Sequence, residues 1–186
     1  MECASEIQTL FPELRVQAGR RLSECTTFRV GGPCPLLIDA PSAGSLPALI
    51  KALHERNLAF LVIGQGSNLV ISDEGLDCVI VRFCSEKPEI QTDAGRVTVS
   101  GSTLLDDFAR ITVGNNLGDL TFCTGIPGTV GGGIAGNAGA FGRQIGDHLI
   151  SAEILAPDGS VRTVHSEELE FSYRHSRLKE TGEILL

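Results

Sequence analysis

The chain has 186 residues, 42% of them hydrophobic and 20% charged, with a formal net charge of −8. That is enough apolar material for one good-sized domain or two small lobes with a core, and a composition unlike that of a disordered chain. The acidic balance excludes a general nucleic-acid binder, which needs a basic face, and it requires that any phosphate be held mainly by backbone N–H groups and a few placed arginines.

The segment 1–19 opens on the acidic stretch Met1 to Glu6, which lacks the apolar run of a signal peptide or anchor. No stretch approaches the ~18 apolar residues of a membrane span, so a cytoplasmic protein without membrane insertion is expected. Ile7, Leu10, Phe11 and Leu14 predict a helix over 5–16, weakened or kinked at Pro12. Pro35 to Ala40 predicts a strand. Ser45 to Asn57 predicts a helix, with Ser45 as cap and Pro47 in the first turn. Ala59 to Ile63 predicts a short buried strand. Strand, helix and strand in that order imply parallel pairing through a crossover.

Further on, 69–71 and 78–83 are strand-like. A hairpin is predicted around Asp93-Ala94-Gly95, and a helix over 103–113 capped by Ser102 or Thr103. A second hairpin is predicted around Pro157-Asp158-Gly159-Ser160. Residues 171–174 and 184–186 are short extended pieces. The polar stretch 84–88, with Pro88, suggests a division into a first lobe at 20–84 and a second at 85–186. The apolar end Ile184-Leu185-Leu186 suggests a piece of a longer protein.

The six cysteines, at 3, 25, 34, 78, 84 and 123, form no C-x-x-C pair and have no histidine at zinc spacing. Reduced thiols and no metal site are expected.

The 22 glycines are clustered. Gly64-Gln65-Gly66-Ser67-Asn68 follows the predicted strand at 59–63, where ligand loops of α/β units sit. Leu69 occupies the place of a third glycine, so this is no dinucleotide fingerprint. Its successive amides can still converge on an anion as a nest, or the loop can be an ordinary tight turn. The second cluster runs from Thr124 through Gly125, Ile126, Pro127, Gly128, Thr129, Gly131, Gly132, Gly133, Gly136, Asn137, Ala138 and Gly139 to Gly142. Each glycine inside a helix costs about 1 kcal/mol relative to alanine. A fold keeps such a run where something approaches the backbone closely. The interleaved Ile126, Val130, Ile134 and Phe141 oppose a flexible linker. Pro127 favours a helical turn beginning near Gly128, with free N–H groups facing an anion. The third segment, Phe171 to Ser176, holds Tyr173 and Arg174, the latter a fixed charge suited to a carboxylate or a developing anion. His175 is expected to be structural or solvent-facing.

Together with Thr27-Phe28-Arg29-Val30-Gly31-Gly32, these segments in this order resemble the UDP-N-acetylenolpyruvoylglucosamine reductase (MurB) family from about residue 20 onward. The resemblance implies an α+β fold, the two-lobed FAD-binding fold of the vanillyl-alcohol-oxidase or PCMH type. It implies noncovalent FAD between the lobes, its pyrophosphate on the 64–68 and 125–129 loops, with Gly132 and Asn137-Ala138-Gly139 also on the cofactor side. NADPH would reduce the flavin, and hydride would pass to the enolpyruvyl group of a UDP-sugar, giving UDP-N-acetylmuramate for peptidoglycan. Arg174 falls on the arginine that stabilises the enolate-like intermediate, and Tyr173 on a residue lining the substrate and nicotinamide side. Gln65 stands where many relatives have glycine. The family's proton-donating serine and C-terminal glutamate belong to a substrate-binding domain that does not fall on this chain. The piece is therefore expected to bind FAD weakly or not at all, and not to complete the reaction alone.

Two other readings compete. One is an alcohol or sugar oxidase of the same fold. Many of these attach FAD covalently through His or Cys, for which Cys123 is the nearby candidate. The other is a non-catalytic nucleotide-binding module.

Overall fold

The computed structural model describes residues 2–186. Helix α1 (Glu2–Leu10) leads into β1 (Arg15–Ala18), β2 (Leu36–Ala40), α2 (Leu46–Glu55), β3 (Phe60–Ile63) and β4 (Val79–Phe83). The four strands form one sheet in the order β1-β2-β4-β3. β1 is antiparallel to β2, while β2, β4 and β3 are parallel. The expected parallel pairing is present, but β4 lies between β2 and β3.

β2 and β4 are apolar except for Asp39 and Arg82, because both their faces are covered. Leu36, Ile38, Val79 and Val81 share a core with Ile7 of α1 and Leu46, Leu49, Ile50 and Leu53 of α2. Leu37 and Ile80, of opposite parity, pack with Leu22, Cys25, Cys34 and Ile71. Asp39 and Arg82 face each other in register across β2 and β4, with Nε donating to Oδ1 at 2.6 Å.

The rest of the chain is built from β5 (Ile90–Asp93), β6 (Arg96–Val99), α3 (Leu105–Gly114), α4 (Val130–Ala135), β7 (Gly139–Ala140), β8 (Arg143–Gln144), β9 (Ser151–Leu155), β10 (Val161–His165), α5 (Leu178–Thr181) and β11 (Ile184–Leu185). β5–β6 and β7–β8 are hairpins, and β10-β9-β11 is an antiparallel sheet. Ala94 and Gly95 have φ of 44° and 81°, as a tight two-residue hairpin turn requires. Leu105, Phe122, Val130, Ile134 and Ile154 form the core here. Leu155 of β9 and Ile184 of β11 belong instead to the core beneath the β1–β4 sheet. No helix among the described residues is long and apolar enough to cross a membrane.

Several local expectations are corrected. The first helix stops at Leu10 and not at 16, because Pro12 cannot continue it and Val16 joins β1. Gln8 closes its end, its side chain donating to Leu14 O at 2.9 Å. β3 is an edge strand and is only partly buried, with Leu61 exposed. Residues 69–71 form no strand; Ile71 is buried beside Gly31 and Leu22 while the backbone continues as loop. Ser45 occupies the cap position of α2 without a side-chain bond, although Pro47 sits in the first turn as expected. The cap position of α3 is Leu104, not Ser102 or Thr103. Thr103 is committed elsewhere, its Oγ1 accepting from Glu89 N–H at 3.1 Å.

Candidate functional site

The loop 64–68 leaves the carboxyl end of β3 and meets the segment 127–129 directly. Ser67 Oγ donates to Pro127 O at 2.9 Å. A Cβ on Gly64 would overlap the Thr129 hydroxyl, and one on Gly128 would lie 2.9 Å from Ser67 Oγ. Gly66 has φ of +69°, and a Cβ there would strike the Cys25 carbonyl. Gly128 has φ of +131°. Both backbones are thus in conformations that side chains rarely adopt, at the place where the loops touch. Thr27 N–H donates to Gly66 O at 3.2 Å, which brings the 26–32 motif against the same loop.

Among the described residues, the amides of Gln65, Gly66, Ser67 and Asn68 donate to no protein acceptor, and neither do those of Gly128 and Thr129. The helix predicted to begin near Gly128 begins at Val130, capped by Thr129. Its own first amides are already committed. Val130 N–H donates to Thr103 O at 2.8 Å and Gly131 N–H to Gly101 O at 2.9 Å, while Gly132 N–H donates to Thr129 Oγ1 at 3.3 Å. The available donors on this segment are therefore the two residues that precede the helix, because 128–130 bridges the strand-like stretch 103–105. A cluster of free amides from two loops, held together where three glycines let protein atoms come close, is the donor set that suits a diphosphate.

A cavity of about 990 Å³ adjoins the loop at Gln65. It lies at the carboxyl ends of β2 and β4, bordered by Thr26, Pro41, Asp39, Arg82, Cys84 and Lys87. That is where open α/β sheets take ligands. Burial pushes the Cys25 and Cys84 thiols up.

Arg174 stands apart from this cluster. Residues 172–175 form a tight turn and not the expected extended piece, closed by Ser172 N–H to His175 O at 3.1 Å and His175 N–H to Ser172 O at 3.2 Å. Tyr173 and Arg174 are its exposed tip, Arg174 with φ of +57°. The turn is tied to the far end of α4, where Ser176 Oγ donates to Ala135 O at 2.9 Å. A six-residue helix rises roughly 9 Å, and α4 lies between Thr129 and the Ala135 end that holds the arginine turn. Ala138 is buried, and Gly139 begins β7, where a Cβ would strike the Arg143 carbonyl. The Asn137 side chain is turned into the protein, not outward: it holds Gln144, Ser172 and Gly146.

Asp106 was not foreseen. Its Oδ1 accepts from Gly125 N–H at 2.6 Å while Oδ2 accepts from Arg110 at 2.7 Å, clamping the entry to the glycine segment. In the sequence, Asp106 and Arg110 show only as an i,i+4 helix pair. Cys123, the candidate for covalent flavin attachment, is fully buried in the core, and burial pushes its thiol up to about 11.

Residues 35–165 match a family model described as FAD binding domain. The chain belongs to the FAD-binding domain family. The match to this family takes in both glycine loops and the cavity edge. The chain is also 35% identical over 173 residues to the UDP-N-acetylenolpyruvoylglucosamine reductase of Latilactobacillus sakei, covering 93% of this chain and 57% of that protein. The crystal structure of the MurB reductase from Thermus caldophilus superposes with a TM-score of 0.76 at 32% identity, covering 92% of this chain and 60% of that one. Glucooligosaccharide oxidase from Acremonium strictum shares the fold at 15% identity, with a TM-score of 0.66 over 89% of this chain and 37% of its own. The expected architecture, that of the PCMH-type FAD-binding proteins, is thus the fold of this family member. The chain spans 52% to 60% of the length of the reductases it is compared with.

Proposed function

We propose that these residues are the flavin-holding portion of a UDP-N-acetylenolpyruvoylglucosamine reductase, which uses NADPH and FAD to convert its UDP-sugar substrate to UDP-N-acetylmuramate for peptidoglycan. The observation that carries this reading is the meeting of the 64–68 and 127–129 loops through the Ser67–Pro127 hydrogen bond, with amides on both sides free to donate. In a chain of net charge −8, neutral amides hold a diphosphate without needing a basic surface. Gly66, Ser67, Asn68, Gly128 and Thr129 would hold it. When bound, FAD supplies hydride transfer between the nicotinamide and the enolpyruvyl double bond. Arg174, exposed at its turn beside Tyr173, would supply the permanent charge that stabilises negative charge on the substrate. Free cysteines throughout the described chain fit a cytoplasmic location.

Dissociable FAD fits a sealed Cys123 and a 64–69 loop with neither His nor Cys. This weighs against an oxidase with covalently attached flavin.

Titration of the chain with FAD, followed by anaerobic NADPH, tests the first half of the reading. Weak but saturable binding and bleaching of the flavin band are expected; if a protein carrying the remaining residues of the reductase also takes up no FAD, the reading fails and the chain is an inert module. Arg174→Ala, placed in a protein carrying the remaining residues of the reductase, tests the second half. FAD should stay bound and NADPH should still bleach it, while turnover falls by about 10²–10³. Unchanged turnover removes Arg174 from the chemistry.

A further inference from the structure

Asn137 sits at the junction of three pieces of chain. Its side chain is buried, with 2% of the residue exposed, and its φ is +43°, a region where asparagine is enriched. Nδ2 donates to Gln144 Oε1 and to Ser172 O, both at 2.9 Å, and Oδ1 accepts from Gly146 N–H at 3.1 Å. The network fixes the amide's orientation, because a flipped group would set oxygen against two acceptors and nitrogen against an N–H donor. Ser172 O is the same carbonyl that receives His175 N–H and closes the turn bearing Arg174. Arg174 itself is in the left-handed region with φ of +57°, where an arginine stays only if its surroundings hold it. Two further bonds steady the turn: Ser176 Oγ to Ala135 O at 2.9 Å and Lys179 Nζ to Arg174 O at 2.5 Å.

We infer that Asn137 is a positioning residue for Arg174, setting the height and direction of the 172–175 turn relative to α4 from behind. The inference rests on the reading that Arg174 faces the flavin and its substrate. It assigns Asn137 no contact with either. Asn137 transmits the end of the glycine segment to the arginine turn, so the two are placed as one unit.

Asn137→Gly keeps the left-handed backbone and removes only the side chain. In the chain without FAD, hydrogen exchange at the His175 amide should rise about tenfold, while β2 and β4 stay protected as before. Gln144→Ala deletes one partner of Asn137 but leaves the bond to Ser172, and should leave His175 exchange unchanged. A tenfold rise there as well would indicate general loosening and overturn the inference. Should Asn137→Gly cost the fold, Asn137→Asp keeps the volume and the acceptor for Gly146 and should give the same rise at His175. With FAD added, the visible circular dichroism of the flavin separates the inference from the reading beneath it. Asn137→Gly should shift that spectrum as Arg174→Ala does, and the double variant should add nothing further. If Arg174→Ala shifts it and Asn137→Gly does not, Asn137 does not position the arginine. If Arg174→Ala itself leaves the spectrum unchanged, the placement of Arg174 at the flavin fails, and the inference fails with it.

Discussion

The loop at 64–68 and the segment at 125–139 are both dense in glycine, yet their glycines serve different ends. In the loop, Gly64 and Gly66 also make room for protein atoms, the Thr129 hydroxyl and the Cys25 carbonyl, but Gly66 turns the backbone through positive φ and four successive amides stay without a protein acceptor. In the segment, Gly128 does the same work, but the later glycines are packing devices. A Cβ on Gly131 would come within 3.1 Å of the Gly101 carbonyl, and one on Gly133 within 3.1 Å of the Leu105 side chain. Clustered glycine therefore reports that something comes close to the backbone. It does not report whether that neighbour is a ligand or the protein itself.

The largest effect that would break or sharpen this distinction belongs to Gly128→Val. A β-branched residue at φ of +131°, aimed at Ser67 Oγ, should weaken FAD binding about 100-fold or more. Flavin content after gel filtration checks it, and normal content would show that the junction of the loops is not the site. Gly131→Ala should do the opposite: destabilise the fold by about 1–3 kcal/mol through overpacking while leaving FAD affinity within about threefold. Urea unfolding and flavin titration measured together decide this, and a collapse of affinity at unchanged stability would erase the difference between the two regions. Ser67→Ala removes the Ser67–Pro127 hydrogen bond and should cost about 0.5–1.5 kcal/mol, with a few-fold loss of FAD affinity.

The smallest effect is a pH dependence beside the glycine segment. The Thr121 hydroxyl and the Arg143 guanidinium hold the Asp119 carboxyl down at about 2. A folded value below the unfolded one means that this contribution is fully present above about pH 4 and is lost as the pH falls toward 2. Asp119 is solvent-exposed, so the effect on melting temperature should be slight and should weaken with salt. The melting difference between the wild type and Asp119→Asn should shrink across that window; a constant difference would detach Asp119 from the titration.

Much of the fold was legible because it is locally encoded. Residues 35–40 and 78–83 read as the strands that became β2 and β4, and Ala94-Gly95 and Pro157-Asp158-Gly159-Ser160 mark their hairpins. What was hidden depends on distant partners. Val70 and Ile71 have strand propensity, but the neighbouring backbone bonds to the 32–33 turn instead, through Gly32 N–H to Ser72 O and Leu76 N–H to Pro33 O. Nothing local announces that β4 inserts between β2 and β3. Each glycine loop stood out by its residue types, and the resemblance supplied their pairing. The exact donors were not, because Thr103 O and Gly101 O claim the amides at the start of α4. The left-handed turn at Arg174 was likewise invisible, since the groups bonded around it, Asn137 to Ser172 O and Ser176 to Ala135 O, join residues far apart in the sequence.

Leu155 and Ile184 carry a practical consequence. Both come from the later part of the chain, yet both are buried beneath the sheet formed by the earlier part. A protease cut or a gene split in the polar connector at 84–88 would not release two self-sufficient modules. The earlier piece would lose the side chains that seal its floor, and the later piece would carry them uncovered. Recovery of soluble material should require co-expression of both halves.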